Sequence, residues 1–227
     1  PAANSDRQLL AQIEIVRRKC RQPGGFKFFI NNVFSASFGG DFIGGDYVNE
    51  IADRMERLAW TMDVTARGHF KSTRLYAEIM YDIFTMERDL EAWYFSYNTD
   101  LSSYHLKKLK GMIKRNPFFV IVQDIKVQAE GVLAYVNDTN NLYTCAPAGL
   151  LAFKRGIHAE RIYVDDPLRD PENKLAPTVI RKVNRTISTE IYPMVNKGGI
   201  CRIVGTPQTY EDFFYDESLR NKWDVQI

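Results

Sequence analysis

The chain has 227 residues, 45% of them hydrophobic and 26% charged, which is enough for one substantial core or a core with a small subdomain. Its 30 Lys and Arg against 28 Asp and Glu give a net charge of +2, too balanced to name a nucleic-acid or membrane partner. Cys20, Cys145 and Cys201 form no Cys-x-x-Cys pair, which argues against a disulfide framework or structural zinc and suits a reducing, cytosolic setting. The longest apolar run, Phe118 to Val122, is too short to span a membrane, and the N-terminus lacks a signal pattern.

Taken in chain order, residues 6–20 read as a helix, and the stretch from Pro23 to Tyr47, with its paired glycines and many phenylalanines, reads as irregular. A helix from Val48 leads into an apolar strand from Leu58 to Val64. A glycine-containing turn follows, then a helix with Leu75, Ile79, Ile83 and Met86 on one face. The alternation continues with a strand at Ala92 to Tyr97, a helix at Leu101 to Arg115, a strand at Phe118 to Val122 and two strands bracketing the turn at Asn137 to Asn141. It ends with a strand at Arg161 to Val164, a helix aligning Ile180, Val183, Ile187 and Ile191, and a strand at Gly199 to Val204. Such a rhythm predicts an α/β fold with a central, mainly parallel sheet flanked by helices. Residues 1–55 are expected to form a small helical and irregular N-terminal subdomain, and residues 56–227 the core.

Three blocks carry the chemistry. The first is the strand-to-helix turn Thr65-Ala66-Arg67-Gly68-His69-Phe70-Lys71-Ser72-Thr73. Backbone N–H groups at a helix N-terminus suit a polyphosphate, Lys71 can reach the outer phosphates, and the Ser72 hydroxyl can ligate Mg²⁺, so this is a P-loop pattern. Thr65 and Phe70 occupy places where such turns usually carry glycine, so Phe70 must take an allowed backbone conformation or strain the loop. The second block is Arg161-Ile162-Tyr163-Val164-Asp165-Asp166, an apolar strand ending in two carboxylates. In a parallel sheet that end lies on the same edge as the P-loop. Asp165 is then the candidate Mg²⁺ ligand and Asp166 the candidate group that polarises the attacking water; turn and capping chemistry before Pro167 is the alternative. The third is the strand Ile200 to Val204 followed by Gly205-Thr206-Pro207, where a hydroxyl can sense a γ-phosphate or simply make a turn.

Together these blocks resemble the ATPase domain of the large terminase subunit, the genome-packaging motor of tailed bacteriophages, over roughly Phe26 to Tyr215. The resemblance is carried by Ala66 to Thr73, by Arg155-Gly156-Ile157-His158 leading into Val164-Asp165-Asp166-Pro167, and by Gly205-Thr206-Pro207. Phe95-Ser96-Tyr97, His105-Leu106 and Asn116-Pro117 add to it. It implies a RecA-like P-loop NTPase fold, ATP with Mg²⁺, and a homo-oligomeric ring that moves double-stranded DNA into a procapsid, the isolated fragment being possible as a monomer. It also implies a portal protein and a small terminase subunit as partners, and action in the host cytoplasm during virus assembly. By the same resemblance Lys71 and Ser72 contact phosphate and metal, Asp165 is the metal ligand, Asp166 is the catalytic carboxylate in a place where the family often has Glu, and Thr206 couples hydrolysis to movement. Arg155 is the candidate arginine finger across a subunit interface, with Arg67 its rival within the subunit. No nuclease segment is read after the third block.

Other readings stay open. A helicase or recombination ATPase shares these blocks, and so does a nucleotide-binding module with little turnover. Tyr47 is a candidate adenine contact. Lys107, Lys108, Lys110, Lys114 and Arg115 can meet DNA phosphates or form a solvated helix face. His69, His105 and His158 have no metal-ligand spacing, and Phe26, Phe28, Phe29 and Phe34 read as core.

Overall fold

In the computed structural model the strands join in one eight-stranded sheet; the structure describes residues 2–42, 44–66, 68–153, 156–168, 176–207 and 209–226. The strands are β1 (Trp60–Val64), β2 (Leu90–Ser96), β3 (Val122–Asp124), β4 (Leu133–Asn137), β5 (Leu142–Gly149), β6 (Ala159–Asp165), β7 (Val195–Gly205) and β8 (Asp224–Gln226). Their order across the sheet is β3-β4-β5-β2-β6-β7-β1-β8. From β5 to β8 every neighbour is parallel, while β3 and β4 add an antiparallel edge. Helices α1 (Ala2–Cys20), α2 (Gly25–Asn32), α3 (Asp46–Arg57), α4 (Lys71–Thr85), α5 (Thr99–Arg115) and α6 (Pro177–Thr186) complete the framework. The fold is thus the helix-flanked, mainly parallel α/β sheet that the strand and helix rhythm predicts.

Alternation along the strands divides the core in two. Met62, Phe95, Ile162, Val164 and Ile203 belong to the cluster that holds Val183, Ile187 and Ile191 after α6. Tyr94, Tyr163 and Val204 belong to the other, with apolar residues of α1 to α5. Phe26, Phe29 and Phe34 are buried in that second cluster and Phe28 packs partly buried against it, so these rings are core, as expected.

The contact of α4 with the sheet is unusually polar. Arg74, Glu78 and Asp82, one turn apart, are all buried, and each meets an opposite charge on a different strand. Arg74 Nη1 lies 3.1 Å from Asp63 Oδ2 on β1, Arg202 Nη2 of β7 lies 2.8 Å from Glu78 Oε1, and Arg161 Nε of β6 lies 2.7 Å from Asp82 Oδ2. Asp63 pairs in register with Val204, two residues beyond Arg202, and Arg161 pairs with Ile200, two residues before it. The three partners therefore run diagonally across β1, β7 and β6 beneath the helix. Arg202 is further satisfied by the carbonyls of Leu58 and Met55, at 2.5 and 2.7 Å. A buried charge needs this kind of saturation.

Several local expectations are corrected. Phe118 to Val122 is not a strand: Pro117–Ile121 is a 3₁₀ turn, and only Val122 enters β3. Asn116 caps it by accepting from the Phe118 N–H at 3.0 Å, and its amide donates to Val33 O and Ser37 Oγ at 2.7 and 2.8 Å. With Pro117 at the first position, that cap overrides the strand preference of the apolar run. Pro23 to Tyr47 is more regular than expected, since Gly25–Asn32 is a helix burying Phe26, Phe29 and Ile30 at helical spacing. Gly25 makes the α1–α2 turn possible, because a Cβ there would lie 1.9 Å from Cys20 O. The helix holding Ile180 to Ile191 passes through a π turn at Ile187–Ile191, β7 starts at Val195, and β8 joins the sheet beside β1 without a sequence signal that announced it.

Candidate nucleotide-binding site

The topology brings three strand ends together. β7 lies between β1 and β6, so the turn after Val64, the turn after Gly205 and the Asp165-Asp166 end emerge at neighbouring positions on the carboxyl edge. After β1 the chain turns through Gly68 at φ 83° and Phe70 at φ 62°, and α4 begins at Lys71. Phe70 thus holds the left-handed conformation that glycine adopts most easily. Its ring packs edge-on against Phe42 and Phe34, with centroids 6.0 and 6.4 Å away, which offsets the backbone strain.

Lys71 is the hub. Its Nζ donates to Asp166 Oδ1 at 2.7 Å and to Thr206 Oγ1 at 2.6 Å. The Thr206 N–H donates to the same Asp166 oxygen at 3.2 Å, and its hydroxyl to Thr65 O at 3.4 Å. One residue from each strand end is therefore tied to the others. Asp166 reaches this position with φ 44°, a second non-glycine residue in a costly backbone region beside Lys71.

Asp165 is fully buried and has two environments. Oδ2 accepts from the Tyr94 hydroxyl at 2.6 Å and lies 3.6 Å from His105 Nε2; Oδ1 is buried without a hydrogen-bond partner. Burial pushes this carboxyl above its usual range, opposed by the nearby His105, the hydrogen bond from Tyr94 and the proximity of the Ser72 hydroxyl. Burial also lowers the His105 pKa, against the pull of Asp165. The other ring nitrogen, Nδ1, is in short contact with the Tyr76 hydroxyl. An orphaned carboxylate oxygen with the Ser72 hydroxyl nearby is a donor set that fits Mg²⁺, a hard cation that takes oxygen ligands and retains waters.

Beside the turn, a cleft of about 360 Å³ is lined by Phe38, Phe42, Tyr47, His69, Phe70 and Thr73 among others. The Tyr47 hydroxyl donates to His69 O at 3.4 Å, so Tyr47 is joined to the turn between β1 and α4. Ala66 and Gly68 are exposed, and Ser72 and Thr73 are half-buried. Arg67 and Arg155 lie outside the described residues. His158 is exposed. Lys107, Lys108, Lys110, Lys114 and Arg115 are all exposed on α5, with Lys110 paired to Asp124 at 2.7 Å. Tyr94, Tyr76 and His105 are site neighbours that sequence reasoning missed. The available signal was Tyr94, a polar ring in an apolar strand, and it pairs in register with Tyr163, two residues before Asp165.

No family model matches this chain, and no curated protein matches it. Among solved structures, a large terminase from the thermophilic bacteriophage D6E, in complex with ATP-γ-S, is similar with a TM-score of 0.50 and 11% identity. The match covers 75% of this chain and 38% of that one. At that identity the likeness is one of fold. The class it defines is a helix-flanked, mainly parallel α/β fold, and within that class the fold is terminase-like.

Proposed function

We propose that this chain is the Mg²⁺-dependent ATPase motor domain of a tailed-bacteriophage large terminase. The observation that carries the reading is the convergence on Lys71: Asp166 from the end of β6 and Thr206 from the end of β7 both bond its ammonium. Phosphate at the N-terminus of α4 draws Lys71 onto its outer oxygens and releases Asp166. Asp166 then accepts a proton from the attacking water as the new bond to the γ-phosphorus forms, the bond to the bridging β-phosphate oxygen breaks, and ADP leaves. Ser72 and Asp165 Oδ1 are the residues that hold Mg²⁺, which when bound neutralises phosphate charge.

Within this reading the cleft beside Tyr47 and Phe70 takes the adenine, an apolar, aromatic-walled space adjoining the turn. Arg155, across a subunit interface, or Arg67, within the subunit, supplies the cation for the transferred phosphoryl group. Residues 1–55 act as a subdomain of the core formed by residues 56–227. The partners are double-stranded DNA, a portal protein, a small terminase subunit and further copies of the chain in a ring, in the host cytoplasm. Thr206, bonded to Lys71, couples nucleotide state to movement.

Phosphate release from Mg²⁺-ATP by wild type, Lys71→Ala and Asp166→Asn tests the enzymatic step. Turnover in wild type and its loss of at least 100-fold in either variant is expected, given the range for acid–base and electrostatic groups. Equal rates in all three proteins sink the ATPase reading. If ATP binding persists in that case, the chain is a nucleotide-binding module.

A further inference from the structure

The surroundings of Asp165 Oδ2 are built from side chains of several elements. Asp165 Oδ2 lies between the Tyr94 hydroxyl at 2.6 Å and His105 Nε2 at 3.6 Å, and the imidazole is flanked by the Tyr94 and Tyr76 rings with centroids 5.5 and 5.9 Å away. Tyr76 belongs to α4, one turn after Ser72; His105 belongs to α5; Tyr94 belongs to β2. Two elements, β2 and α5, therefore converge on one oxygen of one carboxylate, with α4 reaching the imidazole from behind, while the other oxygen has no hydrogen-bond partner.

With the Tyr76 hydroxyl as donor, the contact at Nδ1 sets the tautomer of the ring. Tyr76 contacts Nδ1, and a hydroxyl donating there leaves Nε2 to carry the imidazole hydrogen, directed to the carboxylate. An imidazole in this tautomer turns its Nε2–H toward Oδ2 at 3.6 Å, an electrostatic contact longer than a hydrogen bond, without needing to be an ion. Ligating carboxylates are commonly oriented by such outer partners, whose loss costs about 10- to 100-fold in metal affinity or activity.

We propose that His105 is a positioning residue for Asp165: held by Tyr76, it acts with Tyr94 to fix Oδ2, so that Oδ1 faces the P-loop as the ligand for a divalent cation. The inference rests on the nucleotide-binding reading above. It assigns His105 a task that a ring merely filling space between two tyrosines does not have. It also makes α5, whose outer face bears the exposed lysines, the element that carries a group to the metal ligand.

The test titrates Mg²⁺ into each protein with a fluorescent ATP analogue, and measures analogue affinity in EDTA separately. The proteins are wild type, His105→Ala, His105→Gln and His105→Asn, each checked for an intact thermal transition. His105→Ala is expected to need about 10-fold more Mg²⁺ for half-maximal tightening, with affinity in EDTA unchanged. His105→Gln, whose amide nitrogen can take the place of Nε2, recovers most of the loss, and His105→Asn, with a shorter reach, does not. A Mg²⁺ requirement in His105→Ala equal to wild type overturns the proposal. Equal recovery by Gln and Asn also overturns it, and that comparison stands even if the alanine variant fails to fold. A wild type that binds the analogue with no response to Mg²⁺ removes the underlying reading instead, so the two failures are distinguishable.

Discussion

Phe70 offers the sharpest check on the geometry of the turn, because two substitutions there separate backbone from side chain. Its φ of 62° imposes on any non-glycine residue a cost of about 1–2 kcal/mol. Its ring is half-buried against Phe34 and Phe42. Full burial of a Phe is worth about 3–5 kcal/mol on truncation to Ala, so losing a half-buried ring costs about 2 kcal/mol. Phe70→Ala loses the ring and keeps the strain; Phe70→Gly loses the ring and relieves the strain. Glycine carries a handicap of about 0.4–1 kcal/mol from the freedom it adds to the unfolded chain. The net expectation is that Phe70→Gly is more stable than Phe70→Ala by somewhat under 1 kcal/mol, the reverse of their order inside a helix. Urea unfolding of both variants and wild type, compared at a common slope, measures this directly. An alanine variant as stable as the glycine variant, or more so, would falsify the left-handed assignment of Phe70 and the turn geometry built on it.

Glu78→Gln strips Arg202, which is 1% exposed, of its ion partner; a loss of about 3–5 kcal/mol is expected, seen as a thermal transition lowered by roughly 10 °C or more. The double variant Glu78→Leu/Arg202→Met is expected to lose less than the two single losses added, because neither charge is left alone, and simple additivity would contradict the pairing. Asp165→Asn removes a carboxyl whose folded pKa burial raises; the folded state then holds that proton more tightly than the unfolded state, so the group's stability contribution is present at low pH and declines as pH rises through the raised value. The Asn variant should therefore melt higher than wild type at neutral pH without nucleotide, with a flatter pH dependence and no turnover; a lower melting point throughout would count against it. Gly205→Ala places a Cβ 2.8 Å from the buried Phe214 ring and 3.5 Å from Asp166 Oδ1, so a destabilisation of about 1–3 kcal/mol is expected, together with slower phosphate release. Unchanged stability in a melt would show that Phe214 yields freely.

The parts of the fold legible in the sequence were those governed by local pattern. Apolar strands followed by amphipathic helices gave β1, α4, β2, α5, β6 and β7, and their common sense placed Lys71, Asp165 and Thr206 at one edge. What was not legible depended on partners distant in the chain. Phe118 to Val122 looks like a strand until Asn116 is seen tied to Val33 and Ser37. Residues 25–32 carry helical spacing, but the flanking glycines and the crowd of phenylalanines obscure it. Arg161 and Arg202 interrupt apolar runs as if they faced solvent, and only the tertiary contact with α4 explains their burial. His105 shows no metal-ligand spacing because its partner is a carboxylate 60 residues away in sequence, 165 minus 105.

The charge pairs beneath α4 also bear on how that helix can move. Along it the signs run plus, minus, minus at Arg74, Glu78 and Asp82, against minus, plus, plus at Asp63, Arg202 and Arg161. A slip of one turn, about 6 Å, in one direction sets Glu78 against Asp63; a slip the other way sets Arg74 against Arg202. Either displacement buries like charges together. The helix that starts at Lys71 is in this sense a key cut for a single lock: it can tilt or travel with its strands, but it cannot ratchet along them.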